Sequence, residues 1–98
     1  MTGAELIAAE RQRQIDKEGF SAGHDDEYNS GQLVNAAACY LSSGQATLFG
    51  GEAHPQILKL WPWSQGWWKP KDPISDLVRA GALIAAEIDR IQRIQERF

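Results

Sequence analysis

Ninety-eight residues, 43% hydrophobic and 23% charged with a formal charge of −3, describe one small globular domain over residues 1–98, not a two-domain enzyme or a disordered chain. No run approaches the ~20 apolar residues of a membrane span, no leader reads as a signal peptide, and the lone Cys39 leaves no disulfide framework or cysteine zinc cage within one chain. The negative charge, with its ten Lys and Arg scattered along the chain, disfavours nucleic acid as a partner, because a phosphate backbone needs a basic face.

The first predicted element is a helix from about Thr2 to Glu18. Thr2 and Glu5 make a capping box, and Gly19 supplies a left-handed stop. Ala4, Ile7, Ala8, Arg11 and Ile15 share one face, with Leu6 at its edge. Arg11 is the odd member, so it either snorkels past the edge or pairs with a buried anion. Residues 19–30 have no helical period and read as a loop. Asn29 or Ser30 caps a second helix, roughly Gly31 to Ser42, with Gly44 as its stop. Its apolar residues cover most of the circumference, which predicts burial on several sides. Residues 43–72 are an irregular middle, in which His54-Pro55 opens one short turn. Asp72 caps, and Pro73 opens, a last helix of about 26 residues, roughly 39 Å long. Its stripe is Ile74, Leu77, Val78, Gly81, Ile84, Ala85, Ile88, Ile91 and Phe98. The pentapeptide Leu6-Ile7-Ala8-Ala9-Glu10 recurs as Leu83-Ile84-Ala85-Ala86-Glu87, each with an Arg three residues on (Arg13, Arg90). The common helix alphabet accounts for that echo as well as duplication does.

The expected fold is all-α: three main helices, with a Trp-rich irregular segment between the second and third. A domain this small buries only ~60–70% of its unfolded surface, and the last helix is longer than one such globule needs. Both point to a homo-oligomer with that helix at the interface.

Three groups of residues could carry chemistry. His24-Asp25-Asp26-Glu27 could ligate a divalent cation with help from Glu10, Glu18 or Glu87, but it matches neither His-Glu-x-x-His nor an EF-hand, and capping and solvated roles stand beside that. Arg11, Gln14 and Glu18 share a face of the first helix. They are either a solvated salt-bridged surface or the wall of a cleft with His24, Asp25 and Asp26, where Arg11 grips a carboxylate or phosphate. The most specific feature is Trp61-Pro62-Trp63-Ser64-Gln65-Gly66-Trp67-Trp68-Lys69-Pro70-Lys71, which holds all four tryptophans on a stiff path. Either it is a lid over the core, or some of Trp61, Trp63, Trp67 and Trp68 stack on a flat ligand while Lys69, Lys71 and Arg79 meet its phosphates. A protein interface is the third use of such indoles. Cys39 lies among alanines and reads as a small buried residue.

Glu10-Arg11-Gln12-Arg13-Gln14, Glu18-Gly19, His24-Asp25-Asp26, Trp61-Pro62-Trp63, Trp67-Trp68-Lys69-Pro70 and the run Leu77 to Arg90 resemble a family of small, largely uncharacterised bacteriophage and prophage proteins over nearly the whole chain. The resemblance implies a phage source and the cytoplasm of an infected bacterial host. It also implies an accessory role against host defence, by gripping a defence protein or sequestering a nucleotide signal. A weaker resemblance is to the all-α nucleoside triphosphate pyrophosphohydrolases, which hold magnesium with Glu-Glu-x-x-Glu and Glu-x-x-Asp. The chain departs from that pattern: its second helix offers only Gln32 and Asn35, and Glu87 and Asp89 diverge. The expected function is non-enzymatic binding of a nucleotide-like molecule by Arg11, Gln14, His24, Asp25, Asp26, the four tryptophans, Lys69, Lys71 and Arg79. No catalytic residue or cofactor is expected. A protein-binding inhibitor, or a hydrolase using magnesium, is the alternative.

Overall fold

In the computed structural model, which describes residues 1–96, Thr2 opens helix α1, Gly3–Glu18, through the capping box the sequence predicts. Its hydroxyl accepts from the Glu5 amide at 3.1 Å, and its amide donates to the Glu5 carboxylate at 2.9 Å. Gly19, at φ 73°, ends the helix. The stretch expected to be all loop contains a short helix, α2, Ala22–Asp26, whose N-cap Ser21 accepts from the His24 amide. Helix α3, Gln32–Phe49, differs from expectation at both ends. Neither Asn29 nor Ser30 caps it; Gly31 does, at φ 82° and with no side-chain cap, while the Ser30 amide donates to Gln32 Oε1 at 2.8 Å. Gly44 does not stop α3, and the left-handed terminator is Gly50.

Helix α4, Pro55–Leu58, is the turn opened by His54-Pro55, and the His54 ring accepts from the Gln56 amide at 3.2 Å. A single 3₁₀ turn follows at Gln65–Trp67. Helix α5, Pro73–Glu96, starts on Asp72, whose carboxylate accepts from the Ser75 amide at 2.9 Å. Phe98, the last member of the expected stripe, lies outside the described residues. The described residues form helices and no strand, so the fold is all-α with three main helices. No helix among them is long and apolar enough to cross a membrane.

Helix α5 is the hub, packing on α3 most extensively, then on α1 and α2. The core between α3 and α5 is Leu33, Ala36, Ala37 and Tyr40 against Ala80, Leu83 and Ala86. Full burial of Leu33 and Leu83 is worth about 1.5–3 kcal/mol each; the alanines serve mainly by letting the helix backbones approach. Two faces are only partly those that periodicity predicts: Leu77, Val78, Gly81 and Ala85 of the α5 stripe and Ile7 and Arg11 of the α1 stripe are half-buried, but the most buried lines lie elsewhere. On α5 the inward line is Asp76, Ala80, Leu83, Glu87 and Arg90, while Ile74, Ile84, Ile88 and Ile91 are exposed. On α1 the buried residue is Gln14, while Ala4, Ala8 and Ile15 face out. The polar members can turn inward because each finds a partner: Asp76 accepts from the Ser43 hydroxyl and the Lys71 amide, Glu87 pairs with Arg90, and the Gln14 amide donates to Glu10. Helix α3 is not buried on several sides either, since Val34, Leu41 and Leu48 are about half exposed.

Candidate functional site

Phe20, His24 and Tyr28 are four residues apart, so the single turn of α2 brings them to one side. The Phe20 and His24 rings stack at 4.6 Å between centroids, and Tyr28 meets His24 edge-on at 4.9 Å. Asp25, fully buried behind them, anchors the group. It accepts from Arg11 Nη2 at 2.7 Å and faces His24 Nδ1 at 3.0 Å. A carboxylate can only accept, so Nδ1 carries the proton and, in the neutral ring, Nε2 accepts from the Tyr28 hydroxyl at 3.3 Å. Arg11 therefore takes the second of its two expected courses and pairs with a buried anion; it also donates to the Phe20 carbonyl at 3.3 Å. Asp26 pairs with Arg93 of α5 at 2.8 Å.

The tryptophan segment continues this aromatic surface. Trp63 meets Tyr28 at 5.4 Å and Trp61 at 5.3 Å, Trp61 meets Tyr40 at 5.6 Å, and the Arg79 guanidinium lies over the Tyr40 ring at 5.0 Å. The result is a continuous wall of rings that begins at Phe20 and ends at a cation. The Tyr40 hydroxyl fixes that end, accepting from Arg79 Nη1 at 3.1 Å and the Lys69 amide at 3.3 Å and donating to the Trp67 carbonyl at 3.5 Å. A second cation, the Lys69 ammonium, sits 5.8 Å from the centre of the Trp67 ring. Inside the wall is a cavity of about 420 Å³, to which α1 contributes Gln14 and Glu18 and α5 contributes Arg79 and Leu83. That volume suits a small molecule.

Charge along the cavity is organised by α1. Arg13 bridges Glu10 at 2.7 Å and Glu18 at 2.8 Å, and Arg79 Nε lies 3.8 Å from Glu10. Burial pushes the Glu10 carboxyl up, but the hydrogen bonds and charge of Arg13, helped by Arg79, outweigh it and hold the carboxyl below its ordinary value. Arg79 is therefore only loosely neutralised, and Lys69 is exposed. Cys39, as expected, is buried; its thiol donates to the Ile57 carbonyl at 3.3 Å, and burial raises its pKa, which suits an inert side chain.

Of the residues the sequence nominates, Gln14, His24, Trp61, Trp63, Trp67, Lys69 and Arg79 line the cavity. Five others do not. Arg11 and Asp25 are consumed by each other behind His24, and Asp26 is turned to Arg93. Trp68 packs on Tyr40 and Trp61 at 4.7 and 4.9 Å and borders a separate gap of about 100 Å³. Lys71 contributes its backbone amide to Asp76. The lining also includes Phe20, Tyr28, Tyr40, Ser64 and Leu83, which sequence reasoning did not nominate, and Glu18, which it placed only on the Arg11 face. The spacing of Phe20 and Tyr28, four residues either side of His24, is the signal that could have found two of them. Tyr40 and Leu83 carry none that distinguishes a cavity wall from core. Among the described residues no three His, Cys, Asp or Glu side chains converge as a cation site would require. Compared with known families, characterised proteins and solved structures, the chain gives no match.

Proposed function

We propose that this chain is a phage-encoded binding protein that takes up a nucleotide-like small molecule and, in the cytoplasm of the infected host, withholds it from a defence system. The observation that carries the reading is the aromatic wall ending in Arg79 and Lys69: ring faces suit a base, and cations at one end suit a phosphate. His24 and Tyr28 engage each other, and Asp25 lies behind them, which favours holding a ligand over turning it over. The chain acts as a homo-oligomer, with the exposed isoleucines of α5 covered by a second copy.

Calorimetry against a panel of linear and cyclic nucleotides tests the binding reading. The expected result is affinity in about the micromolar range or tighter for at least one member, lowered about tenfold in Lys69→Ala for the nucleotide but not for its nucleoside. No binding by any member at about tens of micromolar would sink it. The exposure of Trp67, 59%, favours a protein partner as the second reading.

A further inference from the structure

The cationic end of the cavity has little donor capacity to spare. Arg79 Nη1 is spent on the Tyr40 hydroxyl at 3.1 Å and the Lys69 carbonyl at 3.0 Å, and Arg79 Nε faces Glu10 Oε2 at 3.8 Å. The third guanidinium nitrogen, Nη2, makes no hydrogen bond to the described residues and is not one of their buried unpartnered atoms, so it stays accessible. The Lys69 side chain is exposed, and its ammonium rests against the Trp67 ring with no carboxylate partner among the described residues. Two carboxylates stand close by. Glu18 lines the cavity, Glu10 backs Arg79, and Arg13 links them at 2.8 and 2.7 Å, one cation shared by two anions. Glu10 is ionised at neutral pH, since Arg13 and Arg79 hold its carboxyl below the ordinary value. One ammonium and one free guanidinium nitrogen match one phosphoryl group. A second or third would find no further Lys or Arg among the lining residues and would add negative charge facing Glu18.

We propose that the cavity takes nucleotides with a single phosphoryl group, terminal or bridging, and rejects di- and triphosphates. The proposal rests on the nucleotide-binding reading and narrows it by charge. Lys69 and Arg79 hold the one phosphoryl group, and Glu18 supplies the repulsion that a longer phosphate chain meets. Such a filter has a use. A protein that withholds a scarce nucleotide in a cell rich in ATP fills with ATP unless it discriminates against it.

The test is titration calorimetry of the whole chain with adenosine 5′-monophosphate, cyclic adenosine monophosphate and ATP, and with the three uridine counterparts. Magnesium is left out, because it would mask the added phosphate charge. The expected result, in whichever base series binds, is that the triphosphate is weaker by about tenfold than the better of the two single-phosphoryl ligands. Which of those two is tighter fixes whether the phosphoryl group is terminal or bridging. Glu18→Gln removes the lining charge and leaves Arg13 on Glu10. Checked for native helicity by circular dichroism, it should bring the triphosphate to within about threefold; if that variant does not fold, the wild-type ratios decide. A triphosphate that binds as well as or better than the single-phosphoryl ligands would overturn the assignment and leave nucleotide binding standing. Discrimination unmoved in a folded Glu18→Gln would overturn it too. Absence of binding by all six would overturn the assignment and count against the nucleotide-binding reading as well.

Discussion

Arg11 and Arg13 are two residues apart on one helix and do opposite work. The Arg11 side chain is 13% exposed against a carboxylate at 0%, whereas Arg13 is 38% exposed and bridges the rim acids Glu10 and Glu18. Solvent screens the second arrangement, so each Arg13 pair is worth at most about 1 kcal/mol. Removing one partner of the first leaves a charge buried without its counterion. Asp25→Ala should accordingly lower unfolding stability by about 3–5 kcal/mol in urea titration, and a loss under about 1 kcal/mol would show that Arg11 reaches water on its own. Such a variant also releases His24 Nδ1, so part of the aromatic wall should loosen with it. The charge of Arg11 in an apolar stripe left two courses open, snorkelling or a buried anion, and the structure takes the second. That the anion is Asp25 depends on the turn of α2, which short-range periodicity does not register.

At the scale of elements, the close approach of α3 and α5 hangs on Gly44. A Cβ there would sit 3.2 Å from the Pro73 carbonyl oxygen and 3.3 Å from Asp76 Cβ, neither of which can move without the start of α5. Gly81 is crowded differently: its Cβ would fall 2.6 Å from Ile7 Cδ1 and 2.9 Å from Ile7 Cγ1, so the Ile7 side chain has to shift, but all three of the nearest atoms belong to that one side chain. Gly44→Val should cost about 1–3 kcal/mol, which for a domain of this size is a fall of roughly 4–8 °C in Tm for each kcal/mol. Gly81→Ala should cost less, since better helix propensity offsets a contact that can relax. A thermal melt of the two variants side by side checks the order. The sequence offered Gly44 as a helix stop, and the same residue type serves both purposes; only the position of Pro73 across the interface decides which. The echoed pentapeptide has a shared local outcome, a Glu–Arg pair three residues apart in α1 and again in α5.

At the scale of the whole molecule, several large apolar side chains among the described residues stay exposed. Ile84, Ile88 and Ile91 run along α5 at 41–51% exposure, and Val34, Leu41 and Leu48 follow α3 at intervals of seven. With a core built largely from alanine, that surface is where further stability is to be gained. Light scattering on the eluted protein should give a multiple of the 10.9 kDa chain mass, and the pair Ile84→Lys and Ile88→Lys should return a single chain with native helicity by circular dichroism. A wild-type mass of one chain at micromolar concentration would remove the oligomer from the account.

Helix existence, caps and stops at Thr2, Gly19 and Asp72, the short turn at His54-Pro55 and the all-α class were legible in the sequence, because each is set by residues within a turn or two of one another. Which face of each helix turns inward was only partly legible. The isoleucine stripe of α5 has the stronger period, yet the face with Ala80, Leu83 and Ala86 won, since small residues let α3 approach and the polar members Asp76, Glu87 and Arg90 found partners. The site follows the same division. Its tryptophans and cations announce themselves by type, but the wall needs Tyr40 from α3, Arg79 from α5 and Gln14 from α1 at the same place. A one-dimensional pattern records what a residue can do; the packing of distant segments decides what it meets.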